Sequence, residues 1–214
     1  MKAIIFDLDG TLLDTLEDIA DSMNATLKAF NLPDHPTEAY KHLIGGGVAN
    51  LVKLAAPDAE KAGYDPAQIL SRYQKEYAVR QADKTAPYAE IPELLAALAD
   101  KGIKMAVLSN KPHEATIQII ANYFPDTYFD CVLGQTPERP VKPDPGGALE
   151  VLALFGESPE DVIYLGDSGS DMRLAKLVGL IAVGALWGFR DRDELLSNGA
   201  DDLVETPMDI LRFF

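Results

Sequence analysis

The sequence has little of several residue types that carry chemistry or cross-link a chain. Among its 214 residues are one tryptophan, three histidines and one cysteine. A single cysteine cannot form a disulfide within the chain, and Cys131 lies in an apolar, strand-like stretch, so we expect a buried, unreactive thiol. No histidine falls in a motif, and packing or surface roles are expected for all three: His35, His42 and His113.

Positive charge is also scarce. The chain has 19 lysines and arginines against 34 acidic residues, which gives a formal charge of −15, and no segment carries a run of basic residues. A nucleic-acid surface is disfavoured, because such surfaces are basic. The acidity favours solubility. An anionic substrate would need local positive charge, either from a metal ion or from a few well-placed lysines.

Long apolar runs are missing as well. The longest are far shorter than a membrane span. Near the N-terminus, Asp7 and Asp9 interrupt what would have to be the apolar part of a signal peptide. With 47% hydrophobic and 25% charged residues, the composition is that of a globular protein. We therefore expect a cytoplasmic protein that does not bind membranes.

What the sequence does contain is an alternation of short β-rich runs with helical patterns. This alternation predicts parallel strands joined by crossover helices. The predicted strands are residues 2–7, 103–108, 130–133, 162–165, 181–183 and, more weakly, 202–204. The predicted helices lie near residues 91–100, 112–123, 146–155, 171–178 and 191–197.

One block interrupts the alternation. From about residue 16 to residue 82 there is no convincing strand, and the block contains amphipathic helical segments such as LEDIADSMNATLKAF and PAQILSRYQKEYAVRQA. We therefore predict an α/β core formed by residues 1–14 and 83–214. A small all-helical domain, residues 15–82, is inserted after the first strand.

Residues able to do chemistry follow four of the predicted strands. In open α/β sheets, ligands bind beyond the carboxyl ends of the strands. Each segment alone also fits an ordinary turn, a solvated loop or the start of a helix. Their occurrence after four strands predicts one shared site: DLDGT at 7–11, SNK at 109–111, KPDP at 142–145 and GDSGSD at 166–171.

The order and spacing of these segments resemble the haloacid-dehalogenase-like superfamily, specifically its phosphatases. FDLDGTL resembles the first motif of that family, Ser109 the second, Lys142 the third and GDSGSD the fourth. The stretches GQTPERPVKPDP and VGALWGFRDRDEL resemble its phosphoglycolate-phosphatase-like branch. The resemblance implies a Rossmann-like parallel-sheet core with a small all-helical cap inserted after the first motif.

A metal ion would explain the acidic motifs. Asp7, Asp9, Asp167 and Asp171 would concentrate too much negative charge unless a hard divalent cation lay among them, and oxygen ligands suit Mg²⁺. Asp167 and Asp171 are four residues apart, so both can face one site at the start of a helix. We expect Mg²⁺ as the cofactor.

The resemblance also implies catalytic roles. Asp7 would be the nucleophile that forms an aspartyl-phosphate. Asp9 would protonate the leaving oxygen and later deprotonate water, and its backbone carbonyl would ligate the metal. Lys142 would offset charge between Asp7 and the phosphoryl group.

Further residues would contact the substrate. The Ser109 hydroxyl and the N–H groups of Leu8 and Asn110 would bind phosphoryl oxygens, and Thr11 would orient Asp9. The three glycines at 45–47 predict a loop of the helical domain that lies over the substrate. The full predicted set is Leu8, Gly10, Thr11, Gly45, Gly46, Gly47, Ser109 and Asn110.

The favoured function is a Mg²⁺-dependent phosphatase acting on a small phosphorylated metabolite, with 2-phosphoglycolate as the first substrate to test. A phosphomutase of the same family needs the same four motifs and stays open. A receiver-type phosphoacceptor domain also combines acids, Mg²⁺ and a lysine around a parallel sheet. However, it has no helical insert after its first strand and carries its phosphorylated aspartate on a later one. Monomer and homodimer are equally compatible with the sequence.

Overall fold

The computed structural model describes residues 1–125 and 128–214 and is built around a parallel sheet. The strands in this part of the chain are β1 (Ala3–Phe6), β2 (Leu13–Asp14), β3 (Ala86–Pro87), β4 (Lys104–Pro112), β5 (Cys131–Gln135), β6 (Val162–Gly166), β7 (Ile181–Ala185) and β8 (Asp202–Val204). Six of them form one sheet in the order β5-β4-β1-β6-β7-β8, and every neighbouring pair is parallel. The other two, β2 and β3, form a small antiparallel pair.

The helices connect and cover these strands. They are α1 (Leu16–Ala29), α2 (Tyr40–Leu43), α3 (Val48–Ala55), α4 (Pro66–Arg80), α5 (Ile91–Asp100), α6 (His113–Tyr123), α7 (Gly146–Phe155), α8 (Gly169–Val178) and α9 (Arg192–Ser197). Short 3₁₀ turns occur at Thr37–Ala39, Pro159–Asp161 and Pro207–Phe213. Within the described ranges, no helix combines the length and apolar character needed to cross a membrane.

The central strands are buried on both faces. Along β1, Ile4 and Phe6 belong to one apolar cluster, whereas Ala3 and Ile5 belong to another. Successive side chains of a strand point to opposite faces, so each cluster fills one side of the sheet beneath its helices. The predicted α/β class with a parallel sheet is confirmed.

All six strands predicted for the sheet are present, and their ends differ from the predictions in an informative way. β4 continues beyond residue 108 to Pro112, with an irregular register against β5 between Leu108 and Pro112. Ser109, Asn110 and Lys111 therefore belong to the end of a buried strand rather than to a loop. The β2–β3 pair was not predicted, because two-residue strands are too short to show an alternating pattern.

Helices α1 to α4 lie in the chain between β2 and β3 and share an apolar cluster, which Phe189 from the α/β core also joins. The fully buried members of this cluster are Ala20, Met23, Leu27, Tyr40 and Ile69. On α1, the buried Asp18 carboxylate accepts hydrogen bonds from the backbone N–H groups of Lys84 and Thr85 and from the Thr85 hydroxyl. These bonds hold the outgoing and returning segments together. The division into two domains at residues 14/15 and 82/83 stays a prediction.

Candidate active site

Three buried carboxylates meet at the carboxyl end of the sheet. Asp7 follows β1, Asp167 follows β6, and Asp171 lies in the first turn of α8. One carboxylate oxygen from each lies within 4.8 Å of those of the other two, and Asp171 is fully buried. The β1 and β6 strands are direct neighbours, which is why residues 160 positions apart in sequence come together here.

One buried amine partly compensates this charge. Lys142 Nζ lies 2.7 Å from Asp7 Oδ1 and 2.7 Å from Asp171 Oδ1. Although Asp171 Oδ1 is close to this amine, it accepts no hydrogen bond of good geometry within the described residues. Three carboxylates against one ammonium leave a net negative charge when all are ionised, so the cluster has the donor type and the charge to hold a hard divalent cation.

The pKa values of the clustered groups also favour a bound cation. Burial raises the pKa of Asp7 well above its usual value, and the Asp171 carboxylate raises it further. Burial, with Asp171 again as the next cause, raises the pKa of Asp167 to about 7. Burial alone would lower the pKa of Lys142, but the Asp171 and Asp7 carboxylates hold it above its usual value. Lys142 alone therefore does not supply enough positive charge to keep the pKa values of Asp7 and Asp167 at their usual level.

Several groups fix the position of Asp167. The Thr11 hydroxyl donates to Asp167 Oδ1 at 3.1 Å, and the Phe189 N–H donates to Oδ2 at 2.7 Å. Gly10 has a φ of +87°, and a Cβ atom built there would lie 2.4 Å from Asp167 Oδ2, so no other residue fits without displacing that carboxylate. The Gly10 N–H is used in the turn, where it donates to the Leu13 carbonyl.

Asp9 lies outside the carboxylate cluster and has different partners. Its Oδ1 accepts a hydrogen bond from the Thr15 hydroxyl at 2.8 Å, and Lys111 Nζ lies 2.8 Å from Oδ1 and 3.0 Å from Oδ2. The expectation that Thr11 orients Asp9 is therefore wrong. The tight turn after Asp9 directs the Thr11 side chain to Asp167 and brings Thr15 to Asp9 instead.

The groups predicted to bind phosphoryl oxygens lie beside Asp7, and several already have partners. The Leu8 N–H donates to Asp7 Oδ1 at 2.7 Å. The Ser109 hydroxyl accepts a hydrogen bond from the Lys111 N–H at 3.2 Å. Asn110 joins two parts of the site, because its Nδ2 donates to the Gly45 carbonyl at 2.6 Å and its Oδ1 accepts from the Lys142 N–H at 2.7 Å.

A cavity between the sheet edge and helices α1 to α4 contains these side chains. Gly45 and Gly47 line it, whereas Gly46, Leu8, Gly10 and Thr11 do not. The residues that line it from the α/β core are Asp7, Asp9, Ser109, Asn110, Lys111, Asp167, Ser168, Phe189 and Arg190. Those that line it from the helical block are Ile19, Ile44, Gly45, Gly47, Val48, Leu51 and Tyr73.

Several residues of the site were not predicted, and four of them make polar contacts there. Lys111 and Thr15 contact Asp9, the Phe189 N–H holds Asp167, and Arg190 Nη2 donates to the Ile44 carbonyl at 2.8 Å. Lys111 stood inside the SNK segment, so its place after a buried strand was an available signal. Phe189 contacts Asp167 through its backbone N–H, and because every residue except proline has such a group, the residue type gave no signal.

Comparison with known proteins gives a consistent picture. A family model described as haloacid dehalogenase-like hydrolase matches residues 4–185. A phosphoglycolate phosphatase of Aquifex aeolicus is 34% identical over 212 residues, which cover 99% of this chain and 96% of that protein. One from Haemophilus influenzae is 32% identical, covering 88% and 87%. The crystal structure of a predicted phosphoglycolate phosphatase from Haemophilus somnus superposes with a TM-score of 0.86 at 28% identity, covering 99% and 97% of the two chains.

Proposed function

Because this chain belongs to the haloacid dehalogenase-like hydrolase family, in its phosphoglycolate-phosphatase-like branch, we propose that it hydrolyses a small phosphomonoester through an aspartyl-phosphate on Asp7. The first substrate candidate is 2-phosphoglycolate. One observation carries the proposed chemistry. Asp7 and Asp9 are two residues apart, but Asp7 is in the buried carboxylate cluster whereas Asp9 is outside it, paired with Lys111.

Different surroundings suit the two carboxylates to different tasks. Asp7 lies at the end of β1, and Lys142 Nζ contacts its Oδ1, so an attacking oxygen would be held in one place. Asp9 faces the same cavity, with one carboxylate oxygen held by Thr15 and both held by Lys111. A substrate between them would have phosphorus near Asp7 and its ester oxygen near Asp9.

The proposed reaction has two balanced steps. An Asp7 carboxylate oxygen attacks phosphorus, the phosphorus–ester oxygen bond breaks, and the leaving alcohol takes a proton from Asp9. A water molecule then attacks the phosphorus of the aspartyl-phosphate and gives its proton to Asp9. Inorganic phosphate leaves, and both carboxyl groups return to their starting states.

We propose Asp7, Asp167 and Asp171, together with the backbone carbonyl of Asp9, as the groups that would hold Mg²⁺. The side-chain part of this set fits, because three buried carboxylates converge with only one ammonium between them. When bound, the ion would stabilise negative charge on the phosphoryl oxygens. The Ser109 hydroxyl and the Asn110 N–H would bind those oxygens from the β4 side.

The test is phosphate release from a few dozen phosphorylated metabolites, with and without Mg²⁺. We expect turnover that excess EDTA abolishes and added Mg²⁺ restores. Asp167→Asn should raise the Mg²⁺ concentration needed, whereas Asp58→Asn, an exposed change in the helical block, should not. Full activity in excess EDTA would contradict the metal-dependent mechanism, and no phosphate release from any monoester would contradict the function.

The phosphomutase alternative differs in what accepts the phosphoryl group. A phosphatase transfers it to water, so inorganic phosphate accumulates in proportion to substrate loss. A mutase returns it to a second oxygen of a substrate, and an isomeric phosphate ester accumulates instead. Phosphorus NMR of the same reactions separates the two outcomes, and we expect inorganic phosphate.

A further inference from the structure

We propose that the segment after β7, residues 187–190, links the carboxylate cluster to helices α1 to α4, so that Mg²⁺ affinity depends on how this helical block is seated on the core. Phe189 and Arg190 are the positioning residues of the link, and they act on the ion through Asp167. The inference rests on the proposed function, because it concerns the metal site that this function needs.

The first observation is that the two parts of Phe189 have different surroundings. Its backbone N–H donates to Asp167 Oδ2 at 2.7 Å. Its side chain is buried in the apolar cluster of the helical block, whose other described members all lie between residues 16 and 77. A shift of the block that moves this ring therefore also moves the N–H group that holds Asp167.

The second observation is that Trp187 fixes the other end of the segment to the core. Its ring packs against the apolar cluster of the sheet, and its Nε1–H donates to the Thr11 carbonyl at 3.0 Å. The Thr11 hydroxyl in turn donates to Asp167 Oδ1 at 3.1 Å. Both oxygens of Asp167 are thus held by groups that the segment supplies or braces. Each oxygen keeps a further lone pair for a metal, so these bonds fix the orientation of a ligand that stays available.

The third observation is the close packing of Gly188. A Cβ atom built there would lie 2.2 Å from Asp167 Cβ and 2.5 Å from the Gly10 carbonyl oxygen. The backbone of the segment therefore lies directly against Asp167 and the turn after Asp9. Close-packed groups transmit displacement to their neighbours. We therefore expect a movement of Phe189 to reach the Asp167 carboxylate rather than to be absorbed by empty space.

The fourth observation is a polar connection through Arg190, whose side chain is 11% exposed. Its Nη2 donates to the Ile44 carbonyl of the helical block at 2.8 Å, and its Nε lies 3.3 Å from Glu194 Oε2. Glu194 Oε1 accepts a hydrogen bond from the Gly169 N–H at 3.2 Å. Gly169 begins α8, and Asp171 lies in the first turn of that helix. Arg190 thus connects the helical block to the helix that carries another acid of the cluster.

A link of this kind acts in both directions. If the seated helical block holds Asp167 in the orientation that Mg²⁺ binds best, then bound Mg²⁺ must favour the seated block by the same factor. The inference therefore makes one prediction about Mg²⁺ affinity and another about the dynamics of the helical block. Both can be measured without a substrate, so neither depends on turnover.

The first test is calorimetry of Mg²⁺ binding to the full chain. Phe189→Ala keeps the N–H group and removes the ring from the apolar cluster, so we expect the Kd for Mg²⁺ to rise about 5–50-fold. Phe189→Leu refills most of the space and should restore most of the affinity. Arg190→Met loses the bond to the Ile44 carbonyl and should raise the Kd about 3–10-fold. Arg190→Lys, which can still donate to that carbonyl, should restore part of it.

Matched controls separate this link from a general loss of stability. Phe155→Ala removes a buried ring of α7 that packs in a different cluster, so it should destabilise the protein and leave the Kd of the folded fraction unchanged. Arg139→Met is the counterpart of Arg190→Met, since Arg139 bonds to the Gly134 carbonyl and to Glu150 within the core. Its Kd should also be unchanged. If the Phe189 and Arg190 variants bind Mg²⁺ as the wild type does, the inference is overturned.

The second test uses the wild-type protein and needs no variant to fold. We expect Mg²⁺ to slow amide hydrogen exchange at residues 44–52 of the helical block as well as at 165–172, and to leave residues 202–213 unchanged. Slower exchange at 165–172 alone would overturn the inference and leave the proposed metal site intact. No Mg²⁺ binding at all would contradict the metal-dependent function itself, and the inference with it.

Discussion

The two walls of the cavity differ in the kind of residue that builds them. The core wall is made of carboxylates, hydroxyls, an amide and cations together with Phe189, and its polar groups bond to other core residues, except that Asn110 and Arg190 also bond to carbonyls of the helical wall. The helical wall is made of aliphatic and aromatic side chains and glycine. The proposed chemistry therefore uses groups of the core wall, whereas the side chains of the helical wall offer a substrate mainly apolar contacts.

The two walls are also held in place differently. Groups of the core wall lie at the ends of paired strands and brace one another, as Asp167 is braced by Thr11 and Phe189. The loop at 44–47 is held to the core by side chains that reach across, since Asn110 donates to the Gly45 carbonyl and Arg190 to the Ile44 carbonyl. Changes in the core should alter chemistry for every substrate, and changes in the helical wall should alter selectivity.

The strongest test of this division is removal of the proposed nucleophile. Asp7→Asn keeps the size of the side chain but cannot form an aspartyl-phosphate, so we expect turnover to fall by about 10⁴-fold or more for every substrate. Mass spectrometry of acid-quenched wild-type protein should find phosphate on Asp7, and none should be found in the variant. Asp100→Asn, at the exposed end of α5, is the control. Phosphate on a serine or histidine would refute the assignment.

Asp9→Asn should distinguish the role of Asp9 from that of Asp7 within the core wall. The variant keeps the nucleophile and loses proton transfer, so we expect a fall of about 10²–10⁴-fold with alkyl phosphates. p-Nitrophenyl phosphate, whose leaving group needs little protonation, should recover part of the first step. Rapid-quench measurements should still detect the phosphoenzyme. If both substrates lost the same factor, Asp9 would not be the acid.

The core wall was largely predictable from the sequence, because most of its polar residues lie at or just beyond the carboxyl end of a strand, and Lys142 lies in the loop between β5 and α7. Asp7, Ser109, Lys142, Asp167 and Asp171 all lie where the motif spacing put them. Lys111 was included in the SNK segment but given no role of its own, and the extension of β4 to Pro112 accounts for its burial. The helical wall could not be predicted in this way, since an apolar residue that lines a cavity has the same pattern as one in a core.

The pH dependence of Mg²⁺ binding tests the electrostatics of the core wall. The pKa of Asp167 is raised to about 7, mainly by burial. Below that pH the carboxyl group holds a proton that a metal must displace, so we expect Mg²⁺ affinity to weaken up to about tenfold per unit as pH falls below 7. Calorimetry at pH 6 in buffers of different ionisation enthalpy should show proton release on binding. Affinity independent of pH from 5.5 to 8 would contradict this.

The smallest expected effect concerns the helical wall and the loop at 45–47. Gly47 has a φ of +81°, lines the cavity, and would place a Cβ atom 2.9 Å from Val141, so Gly47→Ala should shift the loop. Gly46 lacks a positive φ and lies outside the lining, and a Cβ atom there would lie 2.5 Å from Nδ2 at the end of the Asn50 side chain, which can rotate away, so Gly46→Ala is the matched control. We expect Gly47→Ala to lower kcat/KM for 2-phosphoglycolate about 3–10-fold more than for p-nitrophenyl phosphate, because the less demanding substrate depends less on the shape of this wall. Gly46→Ala should change the ratio less than about twofold. An equal loss for both substrates in a folded Gly47→Ala protein would show that the loop selects nothing.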